Sequence, residues 1–182
     1  MIIILFGVSC VGKSAVGEKL SEKLRYKFFD LDGEINRRFN ITIEQFIKNN
    51  PFSHERGRIK GEIISSLISE NKDNIVIAVS QIHYPIYFAQ FTEMDNVFCI
   101  ELQDTAEHIF QRLIFTDEND QLWAGGDEYK EKHKEHYMKE IREDIKYMEQ
   151  VFKLIKKKYF VNNKSIDEVV DDLIDIIQND WC

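Results

Sequence analysis

Short apolar runs alternate along this chain with longer stretches in which apolar residues recur every three or four positions. Residues 2–6, 27–30, 74–79, 96–102 and 159–161 read as strands, and 13–24, 52–69, 105–115, 133–156 and 165–178 read as helices. The strand runs are apolar on both faces. Strands of that kind, separated by helices, predict an α/β fold of three layers, with a mostly parallel sheet covered by helices on both sides. The prolines, Pro51 and Pro85, fall between elements, where a missing N–H does no harm. No repeat, linker or low-complexity tract interrupts the pattern, so residues 1–182 are expected to form a single domain. The least regular stretch is 116–132, which carries Gly125-Gly126 and many acids. A glycine pair in a polar segment after a helix suits the hinge of a small lid, a plain surface loop being the alternative.

Charge narrows the partners. With a formal net charge of −8, the chain lacks the broad positive surface that nucleic acid or an anionic membrane needs. A small anion remains possible, because backbone N–H groups and a few cations suffice to bind it. Cys10, Cys99 and Cys182 are an odd set without close spacing, which points to free thiols and a cytoplasmic setting. The apolar start at Met1 has no basic residues before it and stops at Gly7, so it reads as a buried strand and not as a secretion signal.

The strongest chemical signal is Gly7-Val8-Ser9-Cys10-Val11-Gly12-Lys13-Ser14, followed by Ala15. It fits G-x-x-x-x-G-K-[ST] and lies between a predicted strand and a predicted helix, as a phosphate-binding loop requires. Its glycines let successive N–H groups turn inward, and the helix adds its positive N-terminal end. Lys13 supplies a cation to the outer phosphates of a bound ATP, and the Ser14 hydroxyl suits Mg²⁺. Cys10 reads as a small filler in the loop.

A second signal, Asp30 and Asp32 in Phe28-Phe29-Asp30-Leu31-Asp32-Gly33-Glu34-Ile35, closes the second strand. Acids placed there project toward the crevice where open α/β sheets bind ligands. One can serve Mg²⁺, and the other can take a proton from a hydroxyl. The competing role for Asp32 is the N-cap of the helix that follows.

Together with Asn40-Ile41-Thr42-Ile43-Glu44-Gln45-Phe46-Ile47, these motifs resemble the shikimate kinase family. The resemblance is close over the first third of the chain and looser beyond it. It implies a five-stranded sheet of P-loop kinase type with a lid. It also implies Asp30 on the Mg²⁺ side and Asp32 at the acceptor hydroxyl. The family holds its acceptor's carboxylate with an Arg in an F-R-x-x-E setting. Arg56 and Arg58 are the candidates here, with Arg142 resembling a second acceptor-binding Arg. Arg112 matches the residue that stacks on adenine.

Three departures follow. The family's Gly-Gly-Gly run after the third strand is replaced by Ile77-Ala78-Val79-Ser80-Gln81-Ile82-His83, so side chains stand where bare backbone is expected. No Arg lies between Arg112 and Arg142, so the family's lid Arg has no counterpart, and Lys130 and Lys132 are the cations nearest to that role. Arg142 precedes Tyr147 with a spacing one residue off the family's. His133 and His136 read as part of a charged helix face, and Lys156-Lys157-Lys158 as a helix-end cluster. The expected function is ATP-dependent phosphoryl transfer to a hydroxyl of a small molecule. The alternatives are another acceptor, such as a nucleotide or sugar acid, an ATP hydrolase, and a nucleotide-binding regulator with weak turnover.

Overall fold

The computed structural model describes residues 1–71, 74–117 and 121–181; Cys182 and Asp120 lie outside them. Strands β1 (Ile2–Phe6), β2 (Lys27–Asp30), β3 (Ile75–Ala78), β4 (Val97–Gln103) and β5 (Lys157–Phe160) form one sheet in the order β2-β3-β1-β4-β5. Every pairing is parallel, and β1 is bonded along its length to β3 on one side and β4 on the other. All five strand segments of the expected pattern are present, with ends shifted by two residues or fewer.

Residues of β1 alternate between two buried faces. Leu5 lies on the side of helix α1 (Lys13–Leu24), where a Cβ added at Gly17 would come 3.3 Å from it and 2.6 Å from Phe28. Phe6 points the other way, into a cluster with Phe88 and Phe152. Helix α8 (Ile166–Trp181) packs beside α1. Helix α4 (Ser53–Asn71), the 3-10 turns at Pro85–Tyr87 and Ala89–Glu93, and helix α7 (Lys134–Val151) lie in the connections β2–β3, β3–β4 and β4–β5, which the right-handed crossover rule assigns to the opposite face.

Between β2 and α4 lie two short helices, α2 (Leu31–Phe39) and α3 (Ile43–Asn49). The first starts one residue after β2 and is capped by Asp30, whose side chain accepts from the N–H groups of Asp32 and Gly33. The cap is therefore Asp30 and not Asp32, because the strand runs straight into the helix. Thr42 and Gln45 form a reciprocal capping box that starts α3.

Helix α5 (Ala106–Arg112) ends three residues before the expected position. The carbonyls of Gln111 and Leu113 are taken instead by Lys130 Nζ, from helix α6 (Gly126–Lys132), an element that the periodicity did not reveal. Helix α7 is likewise shorter than expected, giving way to a 3-10 turn at Phe152–Leu154.

Helix α4 approaches the Pro85–Tyr87 turn through Gly57 and Gly61. An added Cβ at Gly61 would sit 2.7 Å from the Tyr87 carbonyl oxygen, a backbone atom that cannot swing aside. Gly61→Ala is expected to destabilise the fold by about 1–3 kcal/mol, the usual effect of overpacking, read as a lower urea midpoint at unchanged slope.

Candidate active site

In a parallel sheet every strand delivers its C-terminal end to one edge, and the motifs collect there. Gly7 leaves β1 at φ 142°, so close to β4 that a Cβ would fall 2.5 Å from the Leu102 carbonyl oxygen. Gly12 makes the second sharp turn at φ 109°, and α1 begins immediately after it. The first turn of α1 thus leaves N–H groups without helical partners at the mouth of the loop. Lys13 lies folded back, donating from Nζ to the Val8 carbonyl at 2.7 Å. Burial lowers its pKa to about 8, against the opposing pull of Asp32 and Asp30.

The loop is braced from both sides. On the β2 side, Ser14 Oγ donates to Asp30 Oδ2 at 2.5 Å, while Asp30 Oδ1 caps α2. On the β4 side, Arg112 donates from Nε to the Cys10 carbonyl at 3.1 Å and from a terminal nitrogen to Asp104 at 2.5 Å. Asp104 is fully buried and also bonds His108 Nδ1 at 2.7 Å. Burial alone would raise its pKa, but the bonds from Arg112, His108 and the Thr105 N–H outweigh it and hold the carboxyl below its ordinary value.

Two cavities meet at this edge. One, of about 520 Å³, is lined by Ser9, Cys10, Gly12, Lys13, Ser14, Ala15, Asp30 and Arg112. The second, of about 250 Å³, opens between α2, α3, α4 and the segment after β3, and is lined by Asp32, Arg56, Lys60, Gln81 and His83, with Phe46 on its apolar side. Ser9, Asp32 and Ser80 line both. These three residues therefore stand where the two cavities adjoin.

Of the loop residues, Val11 is buried in the core, while Val8 contributes its carbonyl to Lys13. Arg56 is at the second cavity, with Nη1 bonded to the carbonyls of Asn50 and Pro51 at 2.7 and 2.8 Å. Arg58 is not: it projects to solvent and pairs with Glu62 one turn on, at 2.6 Å. Arg142 is also elsewhere, exposed and paired with Glu107 of α5 at 3.0 Å. Two residues on, Asp144 accepts a bond from the Gln81 side chain at 3.3 Å. Lys130 is buried in its role at the end of α5, and Lys132 is exposed.

Two groups escaped the sequence reading. Lys60 sits one turn after Arg56 and donates to the Gln81 carbonyl at 3.0 Å. Burial lowers its pKa, opposed by Asp32 and assisted by Arg56. Ser80 carries a buried Oγ with no hydrogen-bond partner among the described residues. The i, i+4 spacing of Arg58 with Glu62 was the available signal for the first, since it marks the solvent face of α4 and leaves the face of Arg56 and Lys60 for the interior.

A phosphate-binding loop at the head of the central strand, opening onto a second cavity across a shared acid, is the arrangement of a P-loop kinase. The sequence model of the family described as Shikimate kinase matches residues 9–178. A shikimate kinase of Flavobacterium johnsoniae is 26% identical over 177 residues, covering 96% of this chain and 98% of the relative. The fold resembles the crystal structure of shikimate kinase from Bacteroides thetaiotaomicron, with a TM-score of 0.77 at 18% identity over 98% of each chain. It also resembles that from Acinetobacter baumannii in complex with shikimate, with a TM-score of 0.75 at 18% identity over 98% of this chain and 93% of that one. This chain belongs to the shikimate kinase family, and is an ATP-dependent small-molecule kinase.

Two outcomes follow from the site's electrostatics. Lys13 loses its proton as pH rises through about 8, whereas bound phosphates favour the charged ammonium. Above that pH binding must take up a proton, so ATP affinity is expected to fall by up to ~10-fold per pH unit, and Lys13→Arg to remove the dependence in calorimetric titrations. Ser80→Ala removes an unsatisfied buried hydroxyl, and the unliganded protein is expected to gain about 1 kcal/mol in urea unfolding.

Proposed function

We propose that this kinase phosphorylates a hydroxyl of shikimate. The observation that carries the reading is the junction: Asp32 lines both cavities, so one carboxylate faces the phosphate end and the acceptor end at once. The loop amides and Lys13 hold the triphosphate, with the adenine end against Arg112, whose orientation is fixed by Asp104 and the Cys10 carbonyl. Arg56 meets the acceptor's carboxylate with the part of its guanidinium not used on Asn50 and Pro51. Asp32 accepts the hydroxyl proton as the oxygen attacks the terminal phosphorus in line. The bond to the bridging oxygen breaks, and ADP leaves with that electron pair.

Ser14 Oγ and Asp30 Oδ2 are neighbouring hard oxygen donors beside the loop, and among the described residues no cluster of three or more His, Cys, Asp or Glu forms a protein cage for a metal. That donor set fits Mg²⁺, which binds through few protein oxygens plus water and phosphate. When bound, the ion neutralises charge on the phosphates. Residues 116–132 are the candidate lid, of which 118–120 lie outside the described residues; Trp123 and Tyr129 within it pack with Phe115 and Tyr137 in one aromatic cluster. The setting is the cytoplasm; among the described residues no helix is long and apolar enough to cross a membrane.

A second reading, a different hydroxy acid as acceptor, draws on Ser80 and Gln81, whose side chains narrow the cavity where the family carries glycines. ATP consumption measured with Mg²⁺ separates the two. Shikimate is expected to stimulate turnover that Lys13→Ala abolishes, and Asp32→Asn to lower kcat by about 10²–10⁴-fold while ATP binding persists. Intact ATP binding without stimulation by shikimate would reject it as the acceptor.

A further inference from the structure

Resting on that reading, we propose that Lys60 is the second substrate-holding cation of the acceptor cavity. With Arg56 it grips the anionic group of the acceptor, so acid recognition rests on α4 alone and not on α4 with α7. The first support is placement. Lys60 lines the cavity beside Asp32, and its ammonium has three donors, of which one goes to the Gln81 carbonyl at 3.0 Å. Arg56 has already committed one terminal nitrogen to two backbone carbonyls.

The second support is exclusion. Arg142 lies on the exposed side of α7 in an ion pair with Glu107, and Arg58 is paired on the outer face of α4. No other Arg or Lys lines this cavity among the described residues.

The third support is charge balance. Arg56 and Lys60 face a single carboxylate lining the cavity, Asp32, which leaves one positive charge unmatched in a partly closed space. A buried charge without a counter-ion is costly, and an anion entering this cavity relieves it. A carboxylate on the acceptor does so while its hydroxyl reaches Asp32.

Lysine in this role differs from arginine in one measurable way. The groups acting on Lys60 are Asp32 from α2, Arg56 from its own helix, Lys13 from α1, and His83 with the Gln81 carbonyl from the segment after β3. Burial moves the Lys60 pKa downward, so its charge is lost at an alkaline pH at which an arginine keeps its own. Acceptor binding should weaken there, separately from the change in ATP binding that Lys13 causes.

The test compares wild type, Lys60→Met and Lys60→Arg, with folding checked by thermal melting. For Lys60→Met the KM for shikimate is expected to rise by about 10- to 100-fold while the KM for ATP stays near wild type. The matching cyclohexene triol without the carboxyl should not distinguish the two proteins. Lys60→Arg should recover most of the affinity and move the alkaline rise in shikimate KM to higher pH. A second arm is independent of the acceptor's identity: with Mg·ADP saturating the loop, sulfate should raise the melting temperature of wild type more than that of Lys60→Met. Sulfate discrimination without shikimate turnover would reject shikimate as the acceptor and keep Lys60 as the anion-holding residue. Equal sulfate protection of the two proteins, no protection of either, or an unmoved acceptor KM in Lys60→Met would overturn the proposal.

Discussion

Strand β1 is the constraint on which the site depends. Its five residues have no exposed surface, and parallel neighbours occupy both of its edges. Such a strand cannot slip by one residue without turning Leu5 and Phe6 into each other's cores, so its register is fixed by packing on both faces. Its C-terminal end is then fixed as well. The chain must turn out at Gly7 against the Leu102 carbonyl, a clearance that admits no side chain. The loop that follows is placed by the sheet before any phosphate is present. Because β3 and β4 flank β1, the segments after them, bearing Ser80 and Asp104, arrive on either side of that loop.

What the sheet places, two carboxylates secure. Asp30 uses one oxygen to start α2 and the other to hold Ser14, so the first turn of α1 and the helix carrying Asp32 are tied through a single side chain. Asp104 does the equivalent on the far flank through Arg112 and the Cys10 carbonyl. The two anchors differ in environment. Asp104 is buried, where an unpaired carboxylate would be expensive, and it stays ionised because a guanidinium, an imidazole and a backbone N–H meet it there. The loop is thus held between two anions, and its own interior is left to amides and Lys13, the groups that attract phosphate.

How much of this was legible in the sequence follows from how local each feature is. The loop and the strands were legible because short-range pattern determines them: a buried parallel strand announces itself by continuous apolar residues, and the motif's glycines are demanded by backbone geometry. Asp32 was legible as an acid at the right edge, but its proposed role as cap was not correct. The cap belongs to the residue at the strand's last position, which depends on where the helix starts. Helix α6 was hidden because its stability comes from a tertiary bond, Lys130 to the end of α5, and from aromatic packing of Tyr129. Arg142 was misplaced for a similar reason. The direction of a side chain on α7 is decided by how that helix is rotated over the sheet, and Ile141, Ile145 and Met148 set that rotation from a distance.

Helix α4 shows how one element serves three demands by spacing alone. Gly57 and Gly61 let its backbone touch the Tyr87 turn, Arg58 and Glu62 pair toward solvent, and Arg56 and Lys60 turn to the cavity. Each pair is separated by four residues, and the pairs are offset by one or two positions, so each occupies its own strip of the cylinder. Close approach at the glycine strip matters for chemistry as well as packing. It brings the segment after β3 near enough for Lys60 to reach the Gln81 carbonyl, which fixes an otherwise flexible side chain beside Asp32. Ser80 and Gln81 bring side chains to the rim of this cavity. Here they coexist with a cation drawn from the helix opposite, and Gln81 is held by Asp144 from above. Gln81 thus joins two helices at this cavity: its backbone carbonyl orients Lys60 from α4, and its side-chain amide reaches Asp144 of α7.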